Sequence, residues 1–248
     1  MENNDLIRRA EDLAARAARS GSITHTGFLS PAERYQLETW AKRSGARLLF
    51  HGGGANCERT AAFFLPDCME ESAFEASDYL CAMRITAFFG TPVHRDYMGA
   101  LLGMGIGREW LGDIRVQENT AAIFCMPSVL RHLLSIEKVG RISVKAQELP
   151  LDAVPAPARQ VKELSFSVQS MRLDAIVAGM FHLSRTEAAR QISAGLVSVN
   201  YQECLKTDHP IREGDVLSLR GAGKGSVTGT GGTSRKGRLF VYAELYQS

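Results

Sequence analysis

The chain has 248 residues, of which 45% are hydrophobic, and its formal net charge is +2. This length is sufficient for two or three small domains with their own cores, and the near-neutral charge excludes a polycation. Residues 161–248 nevertheless contain 11 Lys and Arg against 8 Asp and Glu, a mild indication of a polyanionic partner for the last third of the chain.

The sequence carries no signal for secretion, a membrane span or a metal site. Its polar amino terminus does not resemble a signal peptide, and no apolar run approaches the roughly 18 residues that span a bilayer. The five cysteines are odd in number and widely spaced, and none of the six histidines stands at ligand spacing from them. We therefore expect a cytoplasmic protein with free thiols, no cofactor, no metal and no membrane partner.

Residues 1–72 predict a small N-terminal α/β unit. The segment DLIRRAEDLAARAARSG has the apolar period of a helix. A second helix begins at Ser30-Pro31, where Glu33 completes a capping box, and ends before Gly45. RLLFHGGG and TAAFFLP then predict two short strands around a glycine-rich turn.

Residues 73–150 predict a central domain. Its segments indicate, in order, a strand (DYLCAMRITAFF), a helix (HRDYMGALLGMG), two strands (LGDIRVQENTAAIFCMP), a helix (SVLRHLLSIEKVG) and a strand (RISVKAQEL). The order β-α-β-β-α-β is typical of a ferredoxin-like or RRM-like fold. The proline-rich PLDAVPAPARQ follows and predicts a linker at 151–160.

The glycines of HRDYMGALLGMGIGREWLGDI do not form a nucleotide-binding loop. A phosphate-binding Walker loop ends in Gly-Lys-Ser/Thr, and the dinucleotide fingerprint needs Gly-x-Gly-x-x-Gly directly after a strand. Neither spacing is present. We expect instead a helix whose small residues permit close packing and which ends at Gly105 or Gly107.

Residues 161–248 predict a C-terminal domain built around two short helices. The first carries an apolar stripe that includes Leu173, Ile176 and Val177, and Ser184 caps the second, with Glu187 completing the capping box. The polar faces of the two helices would leave arginines available for a partner. LVSVNY and DVLSLR follow as short strands.

The end of the chain, GAGKGSVTGTGGTSRKGRLFVYAEL, predicts a flexible glycine-rich arm and a final strand. The cations Arg235, Lys236 and Arg238 could follow an RNA backbone. A solvated turn explains them equally well.

The order and spacing of residues in this domain resemble the RNA-binding domain named after ribosomal protein S-four. The matching positions are Arg172-Leu173-Asp174, Ser184-Arg185, Ala188, Ile192, Gly195, Val197, Val199-Asn200, Lys206 and Gly214-Asp215. The resemblance implies a helical hairpin that presents guanidinium groups to the phosphates of structured RNA. It implies RNA contacts at Arg172, Ser184, Arg185, Arg190, Asn200 and Lys206.

A second resemblance covers nearly the whole chain. HRDYMGALLGMGIGREWLGDIRV resembles a signature of the YlmH-type S-four-domain proteins, and GGGANCERTAAFFLP resembles their N-terminal segment. This resemblance implies an α+β fold of three small domains: the N-terminal α/β unit, the RRM-like domain and an S-four-type αL domain at 161–248. It also implies a second set of RNA contacts at His94, Arg95 and Arg108. The sequence departs from the family at Gly107, where the family often has a basic residue.

The resemblance implies a bacterial, non-enzymatic RNA-binding protein. Members of the family are associated with the large ribosomal subunit and with stalled nascent-chain complexes, so the expected partners are rRNA or tRNA on that subunit. A link with cell division is also attached to the family.

Two other classes of function remain open. S-four domains are often fused to pseudouridine synthases, whose catalytic aspartate lies in a Gly-Arg-Leu-Asp context, but the nearest match here, GRISVK, has Ser143 at that position. No tyrosyl-tRNA synthetase motif occurs, and LLFHGGGAN is a faint match to a methyltransferase loop. The other class is an interaction protein, associated with cell division, that uses its N-terminal region.

Overall fold

The computed structural model describes residues 3–157, 161–234 and 237–246. The chain divides into two compact units, Met1–Pro157 and Ala158–Ser248. No helix within the described ranges is both long enough and apolar enough to cross a membrane. Helices and strands both contribute to each unit, as the α+β prediction requires.

The first unit begins with two helices and a three-stranded antiparallel sheet. In chain order these elements are α1 (Asn3–Ser20), β1 (Thr24–Leu29), α2 (Pro31–Ser44), β2 (Leu48–His51) and β3 (Thr60–Phe64), with the strand order β1-β3-β2. The predicted capping box is confirmed, since Ser30 Oγ accepts from Glu33 N and the Glu33 carboxylate accepts from Ser30 N. Gly45 has the left-handed φ of +73° that was predicted at the helix end.

The same unit continues with a five-stranded antiparallel sheet and two helices. These elements are β4 (Cys81–Ala87), α3 (His94–Gly103), β5 (Leu111–Gln117), β6 (Thr120–Cys125), α4 (Pro127–Leu133), β7 (Lys138–Val139) and β8 (Ile142–Leu149), with the strand order β5-β6-β4-β8-β7. One face of the sheet packs Met83, Ile85 and Ile123 against Tyr97 and Leu101 of α3.

The other face of this sheet is covered by the N-terminal sheet. Phe28 and Phe63 form one buried cluster with Ala82 and Phe124. The predicted boundary at residue 72/73 therefore lies inside one packed unit.

The predicted linker at 151–160 also begins inside this unit. Leu151–Ala153 form a 3-10 turn, and Val154 is buried in the shared cluster. The division between the units falls after Pro157. A proline-rich composition indicated an extended segment, but its apolar residues pack onto the preceding sheet.

The second unit is a six-stranded antiparallel sheet with two helices. Its elements are β9 (Val161–Val168), α5 (Leu173–Met180), α6 (Arg185–Ser193), β10 (Val197–Val199), β11 (Gln202–Glu203), β12 (Val216–Leu219), β13 (Gly223–Thr233) and β14 (Leu239–Tyr246), with the strand order β11-β10-β12-β13-β14-β9. The predicted stripe is confirmed: Leu173, Ile176 and Val177 are fully buried with Ile192 of α6.

The prediction of a flexible glycine-rich arm is wrong. Residues 223–233 form the long strand β13, which pairs with β12 on one side and β14 on the other. A Cβ at Gly225 would lie 2.5 Å from the Glu244 carbonyl oxygen and 3.0 Å from Met180 Sδ. This glycine permits a close approach of neighbouring groups, so its presence signals tight packing and not mobility.

The glycines of the 94–114 segment have mixed roles. Gly105 has a left-handed φ of +79° just after α3, which confirms the predicted helix end. The prediction of close packing is wrong for Gly99 and Gly103, because a Cβ at either would meet nothing within 4 Å. Close packing occurs at Gly112, where a Cβ would lie 2.7 Å from the Phe28 ring.

Candidate nucleic-acid interface

The two helices of the second unit form a helical hairpin (residues 172–193) whose first helix starts on a loop of the same unit. Leu173 N donates to the His209 carbonyl and Asp174 N to the Thr207 carbonyl, both at 2.9 Å. These bonds satisfy amide groups that a helix start leaves without an intrahelical partner. The loop at 204–210 therefore fixes where α5 begins.

The second helix starts at the predicted N-cap. Ser184 Oγ accepts from Glu187 N at 3.1 Å, and the residue is exposed. The reciprocal half of the predicted capping box does not form, because Glu187 Oε1 accepts instead from Arg190 at 2.8 Å and from Gln191 at 2.6 Å. Arg190 lies on the outer face of α6 with 75% of its side chain exposed.

Three charged side chains form one network, the Asp174 network (Arg172, Asp174 and Arg185). Arg185 Nη2 lies 2.6 Å from Asp174 Oδ2, and Arg172 Nε lies 3.2 Å from Oδ1. The Asp174 side chain is 10% exposed, against 43% for Arg172 and 54% for Arg185. The two arginines that the sequence places on polar faces are partly exposed, and one shared carboxylate holds both of them.

The carboxylate of this network stays ionised at neutral pH. Burial alone would raise the pKa of Asp174, but hydrogen bonds and charge from Arg172 and Arg185 outweigh it and the pKa is lowered. The hydrogen bond to Asp174 in turn raises the pKa of Arg172. Two cations share one anion, so the network has a net charge of about +1 and presents two guanidinium groups to solvent in a fixed orientation.

The remaining residues predicted in this unit are distributed differently. Lys206 is exposed and adjoins Thr207, whose carbonyl accepts from Asp174, so it lies near the Asp174 network. Asn200 has a left-handed φ of +48°, and its side chain bonds to Asp215 and to the Val216 amide. This residue holds a turn of the sheet. Arg235 and Lys236 lie outside the described residues.

A pocket joins Arg185 to Arg238, the last of the predicted cations. It has a volume of about 610 Å³, and we call it the β9–α5 pocket. Its lining residues are Phe166, Ser167, Val168, Gln169, Ala175, Ala178, Gly179, Leu183, Arg185, Gly237 and Arg238. Arg238 Nη2 donates to the Ser167 carbonyl at 2.5 Å. Sequence reasoning missed this pocket, because Gly237 and Arg238 lie far along the chain from residues 166–185, which form its other walls.

The second predicted set of contacts surrounds α3 in the first unit. His94 and Arg95 are exposed at its start, and Arg95 lies at the long distance of 3.9 Å from Asp96 Oδ1. Arg108 is exposed in the 3-10 turn Arg108–Trp110, and its Nη1 contacts Met98 Sδ of α3. Phe88 and Phe89 precede this helix and are 66% and 61% exposed.

The loop considered as a methyltransferase match packs against Phe124. Gly53 has a φ of +95°, and a Cβ there would overlap the Phe124 ring. The Arg115 guanidinium stacks on the same ring at 4.9 Å and donates to the Ala55 carbonyl. The Phe124 ring therefore lies directly against the glycines of this loop.

No metal-binding cluster is present within the described ranges. All five cysteines are free thiols. The prediction of unpaired cysteines is confirmed.

Comparisons with known proteins agree with the prediction of two RNA-binding domains. Residues 70–153 match the family model "Putative RNA-binding domain in YlmH", and residues 171–217 match the family model "S4 domain", which is the S-four domain. The chain is 31% identical over 222 residues to the "Ribosome-associated protein quality control protein P2" of Bacillus subtilis (strain 168), covering 88% of this chain and 86% of the relative.

A solved structure has a similar fold. "Cell division protein ylmH from Streptococcus pneumoniae" superposes with a TM-score of 0.54 at 23% identity, covering 61% of this chain and 93% of that one.

Proposed function

Because the chain belongs to the YlmH family, with an S-four domain at its carboxyl end, we propose that it binds rRNA or tRNA on the large ribosomal subunit through its helical hairpin. It works there in the quality control of stalled nascent chains, as the name of the Bacillus subtilis relative suggests for that protein. Its place of action is accordingly the cytoplasm, and it performs no chemistry on the RNA.

The Asp174 network is the observation that carries this proposal. A guanidinium group matches a phosphate with two parallel hydrogen bonds, and the shared carboxylate holds Arg172 and Arg185 side by side at the start of the two helices. Rigid orientation before binding reduces the entropy that is lost when the RNA docks. The exposed Lys206 adds a third positive charge on the adjoining loop.

We further propose that the central part of the first unit is RRM-like but contacts RNA differently from a typical RRM. The strand order β8-β4-β6-β5 and the two helices on one face support the RRM-like assignment. RRM domains stack bases on the open face of the sheet, and here the N-terminal sheet packs on that face. RNA contacts of this unit are therefore assigned to the surface around α3, with His94, Arg95 and Arg108.

Sedimentation with purified ribosomal subunits tests the proposal. We expect the full chain to co-sediment with large but not small subunits, and the logarithm of its affinity to fall linearly with the logarithm of the salt concentration. Lys206→Glu should lower the affinity about tenfold or more, the loss of one charge-assisted contact. Lys162→Glu, the same change at an exposed position of β9, is the matched control.

Two results would contradict the proposal. Migration of the protein only in the unbound fraction at low salt would exclude a ribosomal role. A new pseudouridine or methyl group on rRNA or tRNA after incubation with the protein would show an enzyme.

A further inference from the structure

We propose that the β9–α5 pocket receives one unpaired nucleotide of the bound RNA, with its base against the apolar wall and its phosphate between Arg185 and Arg238. This inference rests on the proposed RNA-binding function and adds the structural feature of the RNA that is recognised.

The wall of the pocket suits the flat face of a base. Ala175, Ala178 and Gly179 of α5 contribute only small side chains, and this leaves the space open. Gly179 lies so close to Phe166 that a Cβ there would overlap the ring, so the ring is fixed in the wall. Aromatic rings next to open space are the usual stacking surface for unpaired bases in RNA-binding proteins.

The rim of the pocket suits a phosphate. Arg185 is held by Asp174 and Arg238 by the Ser167 carbonyl, each through its Nη2 nitrogen. Each guanidinium carries five N–H donors, so both can bind a phosphate while they stay tethered. None of the described residues that line the pocket is acidic. The Asp174 carboxylate tethers Arg185 from outside this lining, and Arg185, Arg238 and Asp174 together carry a net positive charge.

An unpaired nucleotide combines these two requirements better than other ligands do. The bases of a duplex are stacked on their neighbours and cannot enter a pocket on a protein surface. A peptide of acidic residues alone would satisfy the two arginines but has no flat aromatic group for the wall beside Phe166. Ser167 and Gln169 provide polar groups near the base edges, and the volume of about 610 Å³ is in the range of small-ligand sites.

The test uses the full chain and two RNA hairpins with the same stem, one fully paired and one with a single bulged 2-aminopurine nucleotide. We expect the bulged hairpin to bind at least about fivefold more tightly, the lower limit for one stacked base. The fluorescence of the 2-aminopurine should fall when the protein is added, because the base stacks. Adenosine monophosphate and a poly-glutamate peptide are the competitors.

Ala178→Leu fills the pocket without changing either arginine, and Ala222→Leu is the same change in an exposed turn outside the pocket. The first variant should lose the preference for the bulge but keep the wild-type affinity for the paired hairpin, and the second should behave as wild type. If Ala178→Leu does not fold, the two hairpins and the fluorescence signal on wild-type protein decide the question alone.

Equal binding of both hairpins by the wild-type protein would overturn this inference and leave the proposed function standing. Binding of neither hairpin at low salt would overturn this inference, while the sedimentation experiment decides the proposed function. Adenosine monophosphate that binds as tightly as the bulged RNA would indicate a site for free nucleotides. Displacement of the bulged RNA by the acidic peptide at equal concentration would indicate a peptide site. Either result contradicts the inference.

Discussion

Replacement of Asp174 by asparagine should destabilise the second unit, because it removes the negative charge that holds two guanidinium groups. The side chain is 10% exposed and accepts from Arg172 and Arg185. Asparagine has the same shape and keeps one acceptor oxygen, but it turns an NH₂ group toward one of the arginines.

The expected cost is about 1.5–3 kcal/mol of unfolding free energy at pH 7, the usual range for a hydrogen bond to a charged group. The cost should not reach the roughly 3–5 kcal/mol of a fully buried ion pair. Arg172 and Arg185 are 43% and 54% exposed, so water can solvate them after the carboxylate is lost.

Urea unfolding followed by two probes measures this cost within the intact chain. Both tryptophans, Trp40 and Trp110, lie in the first unit, so tryptophan fluorescence reports on that unit while far-UV circular dichroism reports on both. We expect Asp174→Asn to move a circular dichroism transition to lower urea by about 1 M and to leave the fluorescence transition in place. Glu213→Gln, the same loss of charge at an exposed turn of the second unit, is the control.

The stabilisation that Asp174 provides should depend on pH in a direction that its lowered pKa determines. Because the folded state lowers the pKa of Asp174, its stabilisation is complete above the pKa of the unfolded chain, about 3.9. The stabilisation is lost as the pH falls from there through the folded-state pKa. The difference in unfolding free energy between wild type and Asp174→Asn should be constant from about pH 5 to pH 7 and should become smaller below about pH 4. Equal stability of the two proteins at pH 7, or a difference that persists unchanged in acid, would refute the assignment of the network.

Three further outcomes follow from individual contacts. Ser184→Ala removes the hydroxyl that accepts from Glu187 N, and it should lower the unfolding free energy read from the circular dichroism transition by about 1 kcal/mol. An unchanged unfolding free energy would show that water caps α6 equally well. Gly112→Ala places a methyl group 2.7 Å from the Phe28 ring and should lower the unfolding free energy read from the fluorescence transition by about 1–3 kcal/mol. Gly99→Ala, in α3 where an added Cβ meets no neighbour, should instead raise the unfolding free energy by about 0.5–1 kcal/mol. Burial raises the pKa of Cys125 to about 12. This thiol should therefore resist iodoacetamide at pH 8 in the folded protein, while the exposed Cys68 reacts. Equal labelling of the two cysteines, measured by peptide mass spectrometry, would contradict the burial of Cys125.

Local signals in the sequence were sufficient to predict where these helices begin or end. The capping box at Ser30 and Glu33 and the glycine at position 45 depend only on residues within one or two turns, and so they are readable without a structure. The same holds for the apolar stripe of α5 and for the cap at Ser184.

Features that depend on distant partners could not be read in this way. The glycine-rich β13 becomes a strand because β12 and β14 flank it, and strand formation depends on such neighbours more than on composition. The arginines of the hairpin were identified by pattern, and a pairing of Arg172 with Asp174, two residues along the chain, could be foreseen. The bond of Arg185 to the same carboxylate follows from the packing of α5 against α6. The β9–α5 pocket needs three segments brought together by the sheet, and no spacing in the chain encodes it.

The N-terminal sheet packs on one face of the central sheet, and this packing limits where the chain can be cut into fragments that fold. A fragment that begins at residue 70, where the match to the central family model starts, would lack Phe28 and Phe63 and would expose Ala82 and Phe124 to water. A continuous apolar face of this kind favours aggregation. The central segment and the N-terminal sheet therefore form one folding unit, and we expect a fragment that separates the two to aggregate.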